Sequence, residues 1–234
     1  MGGTMRIGYF SDAHLEHRVP GSVKLKRPDC DVLVIAGDLF NMNNEQWIDW
    51  LSDLHPRILL IKGNHEYYGS SIYDEAKYPG NVTLLTDNSA LIDGISFFGG
   101  TMWSNPKNEL LVERSINDFR QISTKKGQNF TVEKMKSLHK NFLERLINAN
   151  PDVVVTHFPP SLRSLDPKFS GSPLNEYFCN DLDNVVHWVR PKIWIHGHVH
   201  HKVSYEIQET TVLCNPWGYP GELKNFGKIL FTNI

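Results

Sequence analysis

Short apolar runs that end in polar or glycine residues recur along the chain. Five of them have the length and composition of buried strands: Arg6–Phe10, Val32–Ala36, Ile58–Ile61, Val153–Val155 and Ile193–Ile195. Each is followed at once by a segment rich in aspartate, histidine, asparagine or glycine. Because the carboxyl ends of the strands in an open α/β sheet border one crevice, we expect these polar segments to meet there.

Two longer segments show the spacing of amphipathic helices. Residues 43–54 carry an apolar stripe that suits a helix lying on a sheet, and Asn43 is a candidate cap. A second helix is predicted from about Glu133 to Asn148, with Thr131 as its cap and a stripe that indicates a core-facing helix. The two stripes are Trp47, Trp50, Leu51 and Leu54, and Met135, Leu138, Phe142, Leu146 and Ala149.

Shorter apolar runs predict further strands. Val82–Leu85 and Ile95–Phe98 are separated by an Asp-Asn-Ser region that is typical of a turn. Further along, Val203–Ile207 and Thr211–Cys214 predict a hairpin, and Lys228–Thr232 is expected to close the second sheet.

Two long stretches, Thr101–Asn129 and Pro159–Asn180, show no clear periodicity. Loops of this length in a compact domain are commonly functional, so we expect them to wall a pocket. The chain of 234 residues contains no linker or repeat, which predicts one domain over residues 1–234.

The charge balance argues against general binding to polyanions. A formal net charge of −2 attracts neither nucleic acid nor an anionic membrane. The basic pieces Lys24–Arg27 and Lys125–Lys126 have no interleaved aromatic residues and predict solvated loops. Three irregularly spaced cysteines, Cys30, Cys179 and Cys214, do not form a disulfide framework, which favours a cytoplasmic protein.

The polar segments after the five strands supply seven candidate metal ligands: Asp12, His14, Asp38, Asn64, His157, His198 and His200. Carboxylate, imidazole and amide donors without a thiolate suit Mn²⁺ best, with Fe, Ni or Zn as alternatives. Seven ligands predict two divalent ions, and Asp38 is the candidate bridge between them. In an extended backbone the pairs Asp12/His14 and His198/His200 would each point to one side.

The order Asp-x-His, Gly-Asp, Gly-Asn-His-Glu, His, Gly-His-x-His, from Asp12 to His200, resembles the calcineurin-like metallophosphoesterase family. The resemblance implies an α/β fold, a four-layer α/β/β/α sandwich of two mixed sheets flanked by helices. It also implies that His65 protonates the leaving group, with Glu66 orienting it. The implied ligand sets are Asp12, His14, Asp38 and His200 for one ion, and Asp38, Asn64, His157 and His198 for the other.

One residue departs from the family pattern. Many members have Gly-Asp-x-x-Asp, but this chain has Asn41 at the last position, and an amide supports a ligand more weakly than a carboxylate. The segments beginning at Gly63, Ser172 and Cys214 are similar to a bacterial and phage branch of this family.

These observations predict a metal-dependent hydrolase of phosphate monoesters or diesters, with a hydroxide bridging the two ions as the attacking group. The expected partner is a phosphorylated small molecule or nucleotide. The alternatives are a nuclease, which the charge balance does not favour, and a non-catalytic interaction protein of the same fold. No membrane partner is predicted, and the oligomeric state stays open.

Candidate substrate contacts include Asn64 and His65 beside the metals. Arg120 could bind a distal anionic group, and three aromatic side chains could stack on a base or sugar. These aromatic residues are Trp103, Tyr67 and Tyr219. The remaining histidines, among them His17, His55, His139 and His187, are expected at the surface or in packing.

Overall fold

The computed structural model describes residues 4–41, 45–125 and 127–234. The strands are β1 (Arg6–Phe10), β2 (Val32–Ala36), β3 (Ile58–Ile61), β4 (Val82–Leu85), β5 (Asn88–Ile92), β6 (Ile95–Gly100), β7 (Ser123–Lys125), β8 (Gln128–Asn129), β9 (Val153–Thr156), β10 (Ile193–His196), β11 (Val203–Ile207), β12 (Thr210–Cys214) and β13 (Leu230–Asn233). The α-helices are α1 (Ile48–Leu54), α2 (Glu109–Ser115), α3 (Asp118–Gln121), α4 (Val132–Ala149), α5 (Asn175–Phe178) and α6 (Asp183–Val189).

Two mixed sheets form the centre of the molecule. One has the order β13-β1-β2-β3-β4, with β1 to β4 parallel and β13 antiparallel. The other has the order β11-β12-β10-β9-β6-β5, in which the four inner strands are parallel and both edge strands antiparallel. All five strands that precede the candidate ligands are therefore parallel members of one sheet or the other.

Alternate residues of the strands face different apolar layers. In β2, Val32 and Val34 pack between the two sheets, whereas Leu33 and Ile35 pack against the layer that contains α1. On the far side of the second sheet, α4 and α6 cover another apolar cluster. The order helix, sheet, sheet, helix confirms the predicted four-layer sandwich.

The five strands that precede the ligands are confirmed, with β9 and β10 each one residue longer than predicted. Helix α4 is also confirmed, and the Oγ1 atom of Thr131 accepts a hydrogen bond from the backbone N–H of Lys134 at 3.1 Å. In the predicted helix 43–54, a 3₁₀ turn at Glu45–Trp47 precedes α1. Its candidate cap Asn43 lies outside the described residues.

The last strand was assigned to the wrong sheet. The prediction placed Lys228–Thr232 in the second sheet, but β13 pairs with β1 in the first. Asn215, just after β12, connects this strand to the first sheet, because its side-chain amide donates to the carbonyls of Tyr9 at 3.0 Å and Lys228 at 2.8 Å. Such a contact between sheets leaves no mark in a local apolar pattern.

A strand was also missed between Val82–Leu85 and Ile95–Phe98. The predicted Asp-Asn-Ser turn is largely β5, and the chain reverses at Asp93-Gly94, where φ is 47° and 86°. Two consecutive residues with positive φ are what a tight hairpin requires. Likewise, the two stretches without periodicity contain the short helices α2, α3 and α5.

No helix among the described residues is both long and apolar enough to cross a bilayer. The three cysteines are free thiols, and Cys179 and Cys214 are buried.

Candidate metal centre

The candidate ligands lie just beyond the carboxyl ends of parallel strands from both sheets. Asp12 and His14 follow β1, Asp38 follows β2, and Asn64 follows β3. On the facing sheet, His157 follows β9, while His198 and His200 follow β10. Both sheets therefore contribute to one crevice, as the apolar pattern predicted.

The backbone at five of the ligands is left-handed rather than extended. The φ angles are 53° at Asp12, 45° at His14, 51° at Asp38, 73° at His198 and 43° at His200. Non-glycine residues with positive φ are uncommon and cluster at functional sites. The extended backbone expected for Asp12/His14 and His198/His200 is therefore wrong. Asp12 and His14 do reach the same ligand group, whereas His198 and His200 belong to different groups.

One ligand group brings together Asp12, His14 and His200, whose donor atoms lie within 4.8 Å of one another. The Nε2 atoms of His14 and His200 are 3.0 Å apart, and Nε2 of His200 is 3.5 Å from Oδ1 of Asp12. Asp38 Oδ2 lies 3.8 Å from Nε2 of His14.

The other ligand group consists of Asp38, His157 and His198. Oδ2 of Asp38, the atom that faces His14, also lies 3.3 Å from Nε2 of His157. Oδ1 of Asn64 is 3.1 Å from the same nitrogen. Asp38 thus borders both groups through one oxygen, which is the position expected of a bridging ligand.

The hydrogen bonds orient the imidazole rings for metal binding. The Nδ1 atoms of His14, His157 and His200 face oxygens of Glu16 at 3.3 Å, Ala36 at 2.9 Å and Glu222 at 2.7 Å, respectively. With Nδ1–H donating to these oxygens, each Nε2 presents a lone pair to the centre.

In this arrangement, two pairs of hydrogen-bond acceptors face each other, and each pair needs a positive charge between its two atoms. The facing Nε2 atoms of His14 and His200 would repel as two acceptors, and so would Nε2 of His157 and Oδ1 of Asn64. A proton or a metal ion at the centre resolves both contacts. In addition, Nε2 of His198 is buried and has no hydrogen-bond partner in the part of the chain that the structure describes. The residues therefore fit divalent ions bound by nitrogen and oxygen donors.

Two glycines leave the space that these ligands occupy. A Cβ atom on Gly63 would lie 2.1 Å from Oδ1 of Asp38, and one on Gly37 would lie 2.6 Å from Nδ1 of His157. Both distances are far below van der Waals contact. The glycines that precede Asp38 and Asn64 are therefore required because any side chain there would overlap the ligands.

The electrostatic state of the site reflects burial and close charge pairing. Burial alone raises the pKa of Asp12, but the hydrogen bond to His200 and its charge lower that pKa to about 2. Burial lowers the pKa of His157 and His200, yet the neighbouring carboxylates outweigh it and raise these pKa values to about 10 and about 9. Burial and the charge of His157 hold the pKa of His198 well below its usual range.

Asp118, which the sequence analysis missed, supports Asn64. Its buried Oδ1 accepts hydrogen bonds from Nδ2 of Asn64 at 2.9 Å and from the hydroxyl of Tyr68 at 2.8 Å, and its Oδ2 accepts one from Tyr177 at 2.5 Å. The bond to Nδ2 turns Oδ1 of Asn64 toward His157. Asp118 lies in an apparently patternless stretch, and no local signal identifies it.

His65 lies beside the ligands, and a nitrogen of its ring is within 4.8 Å of donor atoms of His14 and Asp38. Its backbone N–H donates to Oδ1 of Asp38 at 2.9 Å, and its ring stacks on Tyr68 with centroids 4.2 Å apart. Nδ1 faces Oε1 of Glu16 at 3.0 Å, and Nε2 faces the hydroxyl of Tyr219 at 3.2 Å. Burial lowers the pKa of His65, but the charges of Asp38 and Glu16 raise it above its ordinary value.

The orienting role implied for Glu66 is not what its contacts show. The buried carboxylate of Glu66 accepts hydrogen bonds from the backbone N–H groups of Asp38 at 3.0 Å, Leu39 at 2.7 Å and Gly63 at 2.6 Å. Glu66 therefore joins the loops after β2 and β3 and holds the backbone of the bridging residue. Glu16, from the turn after β1, contacts His65 instead.

The ligand groups open into a cavity of about 380 Å³. Its walls come largely from 115–118 and 165–178, within the two stretches that were expected to wall a pocket, and this prediction is confirmed. Asn64, His65 and Tyr219 line the cavity, and Tyr219 also stacks on His14 with centroids 4.2 Å apart.

The structure does not bring the other three candidate substrate contacts to this cavity. The guanidinium of Arg120 donates to the carbonyl of Arg114 and to Oδ1 of Asn117, at 3.0 and 2.8 Å. Trp103 is only 4% exposed and packs against Tyr67, and both line a separate depression beside α4. Packing and local hydrogen bonding thus account for their positions.

Of the remaining histidines, His55 and His139 are buried and bond to backbone carbonyls, as packing residues do. His187 is exposed. His17 is half exposed but close to Glu16, with 3.8 Å between Nε2 and Oε1. His196 ends β10, and its Nε2 lies 2.8 Å from the Ser164 hydroxyl.

Comparisons with known proteins find relatives of this chain. The chain is 26% identical to an uncharacterized protein of Acanthamoeba polyphaga mimivirus, over 98% of this chain and 97% of that protein. It is 27% identical to a UPF0046 protein of Caenorhabditis elegans, over 80% of this chain and 62% of the relative.

The fold is similar to the crystal structure of phosphopantetheinyl hydrolase from Mycobacterium tuberculosis. The TM-score is 0.68 at 18% identity, and the match covers 99% of this chain and 97% of that structure. The family described as calcineurin-like phosphoesterase matches residues 5–202, which include every candidate ligand. The chain therefore belongs to the calcineurin-like phosphoesterase family.

Proposed function

We propose that this protein hydrolyses a phosphate ester at two divalent metal ions, with His65 as the proton donor to the leaving group. The observation that carries the proposal is the position of Asp38. One of its oxygens borders both ligand groups, and its other oxygen accepts the backbone N–H of His65. A single carboxylate thereby connects the two expected ion sites to the candidate acid.

Seven side chains would hold the ions. Asp12, His14, Asp38 and His200 belong to one site, and Asp38, Asn64, His157 and His198 belong to the other. When bound, the two ions would lower the pKa of water and neutralise phosphoryl oxygens. The donor set suits Mn²⁺, Fe, Ni or Zn, and we propose Mn²⁺ as the ion for the first test.

His65 is arranged to give up a proton toward the cavity. Its Nδ1–H donates to Glu16, which leaves Nε2 facing the cavity beside Tyr219. The surrounding carboxylates raise its pKa and thereby favour the protonated ring. A departing alkoxide needs such a donor, because it is a poor leaving group without protonation.

The geometry favours an enzyme over the non-catalytic alternative. A scaffold would not require a histidine that is oriented by a carboxylate and opens to a cavity beside the ligand groups. The Mycobacterium tuberculosis structure is named a hydrolase, which is consistent with this proposal, although at 18% identity it supports the fold alone.

The test is hydrolysis of 4-nitrophenyl phosphate and bis(4-nitrophenyl) phosphate by the metal-free protein after loading with Mn²⁺. We expect turnover of at least one ester, and its loss in Asp38→Asn. Replacement of the exposed His187 by asparagine is the matched control. Absence of turnover with every divalent ion, although elemental analysis shows the ions bound, would contradict the proposal.

A further inference from the structure

Among the residues that the structure describes, the walls of the cavity beyond the ligand groups carry no fixed positive charge. None of the described residues that line it is a lysine or an arginine. Positive charge is available only at the floor, from the histidines and the expected ions. A substrate can therefore place one phosphoryl group at the floor, but a second anionic group higher in the cavity meets no basic partner.

Besides the buried Asp118, two carboxylates occupy the walls instead. Glu222 lies on one side, where its Oε2 accepts from the backbone N–H of Tyr219 at 2.9 Å and faces Nδ1 of His200 at 2.7 Å. Asp166 lies in the wall formed by the turn before Phe169. A distal anion would be repelled by both groups, whereas a neutral or positively charged group would not.

The basic side chain beside Asp166 is already paired with it. Nζ of Lys168 lies 2.9 Å from Oδ2 of Asp166, and the lysine is not among the residues that line the cavity. This pair reduces the charge of Asp166 without presenting an ammonium group to the substrate.

The remaining wall is apolar with a few amide groups. Ile116, Leu165, Phe169 and Phe178 supply apolar surface, and Asn117 and Asn175 supply amides. This lining suits an organic group with apolar surface and neutral hydrogen-bonding atoms. It does not suit the closely spaced phosphates of a polynucleotide, since backbone phosphates are contacted mainly by basic side chains.

We infer that the substrate is a phosphate ester whose organic part has no second anionic group and is either neutral or cationic. This inference rests on the proposed function and narrows it: nucleic acids, dinucleotides and bisphosphates are excluded as preferred substrates. Asp166 then acts as a specificity-determining residue that disfavours a distal anion.

A series of aryl phosphates tests the charge preference directly. The esters are 4-propylphenyl, 4-(2-aminoethyl)phenyl and 4-(2-carboxyethyl)phenyl phosphate, which differ in distal charge but little in size or leaving-group pKa. We expect kcat/KM for the carboxylate ester to be at least about tenfold below that of the other two, which corresponds to roughly 1.4 kcal/mol. Single-stranded DNA should be hydrolysed more slowly still.

Variants of the wall give the second part of the test. Asp166→Asn should bring the kcat/KM values of the amine and carboxylate esters closer together, and Asp166→Lys should bring them closer still. Asp53→Asn, an exposed charge loss on α1, is the matched control and should leave the ratio unchanged. Ratios within one variant are insensitive to the fraction of folded protein.

The outcomes separate this inference from the proposed function. If all esters, including 4-nitrophenyl phosphate and bis(4-nitrophenyl) phosphate, resist hydrolysis, the proposed function fails and the inference fails with it. If the esters are hydrolysed but kcat/KM for the carboxylate ester equals that of the other two, only the inference is overturned. A preference for the carboxylate ester that disappears in Lys168→Met would show that this lysine binds a distal anion, which also overturns it.

Discussion

Oε1 of Glu16 lies 3.0 Å from Nδ1 of His65. The same oxygen lies 3.3 Å from Nδ1 of His14. One carboxylate, from the turn that follows β1, therefore orients both the proposed acid and a metal ligand. Charge and hydrogen bonding from the two histidines outweigh the effect of burial and lower the pKa of Glu16 to about 2.

Replacing Glu16 should weaken catalysis through the histidines that it holds. We expect Glu16→Ala to lose about 10–100-fold in activity, as is typical for partners of metal-bound histidines. Glu16→Gln should lose less, because its amide oxygen can still accept both N–H groups. Kinetics and metal titration of both variants, with exposed Glu209→Ala as control, check this. Equal losses of activity in Glu16→Gln and Glu16→Ala would argue against a hydrogen-bonding role for Glu16.

His65 should matter most where the leaving group needs a proton. His65→Asn is expected to retain both ions but to lose about 10²–10⁴ in kcat on an alkyl phosphate. The loss on 4-nitrophenyl phosphate should be smaller, because 4-nitrophenolate leaves without protonation. Steady-state kinetics with both esters, together with metal analysis, tests the assignment. An identical loss on both would remove His65 from the role of acid.

The ligand set predicts two ions per chain. Elemental analysis after reconstitution and desalting should give a metal-to-protein ratio near two in the wild type and a lower ratio in Asp38→Asn, because this residue borders both groups. Ions that bind only the folded state also stabilise it, by about 2.7 kcal/mol at a concentration 100 times Kd. Thermal unfolding should therefore shift upward with Mn²⁺ and less so in the variant. A ratio of one in the wild type would contradict the two-ion assignment.

Asp118 should affect metal affinity without being a ligand. Asp118→Leu removes the acceptor that orients Asn64, and we expect affinity for one ion to fall by about 10–100-fold. Tyr177→Phe, which leaves the bond between Asp118 and Asn64 intact, should have a smaller effect. Calorimetric titration with Mn²⁺ distinguishes the two variants. Unaltered affinity in Asp118→Leu would show that Asn64 is held by other contacts.

Asp87 provides a test of stability against pH away from the metal centre. Burial raises the pKa of its carboxyl to about 6, opposed only weakly by Arg145. The fold thus favours the neutral form: this contribution is fully present below pH 3.8 and is lost as pH rises through 6. Asp87→Asn keeps a neutral group and, like aspartate, tolerates the observed φ of 58°.

We therefore expect Asp87→Asn to raise the free energy of unfolding at pH 8 by about 1–2 kcal/mol, and to change it little near pH 3.5. Urea unfolding at both pH values measures the difference. Asp93→Asn is the control, since Asp93 also has positive φ but an exposed side chain. The same gain at both pH values would show that charge burial is not the cause.

The apolar pattern was sufficient to predict features that depend only on residues adjacent in the chain. The runs before Asp12 and Asp38 are apolar on both faces because their strands are buried on both faces, so strands and ligands could be located together. It was insufficient for backbone conformation: the left-handed turns at Asp12 and His14 were expected to be extended. Glycine-free left-handed turns have no strong local signal, because tertiary contacts hold them.

By itself, the sequence determined the strand–ligand segments, the ligand types and their order, and hence the layered α/β fold and the metal chemistry to expect. Only the tertiary structure decided which carboxylates hold the metal ligands and the proposed acid in place. Glu16 reaches His65 across 49 positions and Asp118 reaches Asn64 across 54, whereas the adjacent Glu66 holds the backbone instead. Apolar periodicity reports which face of an element is buried, but contacts between polar side chains distant in sequence arise only when the elements pack. The charge on the cavity walls is decided in the same way.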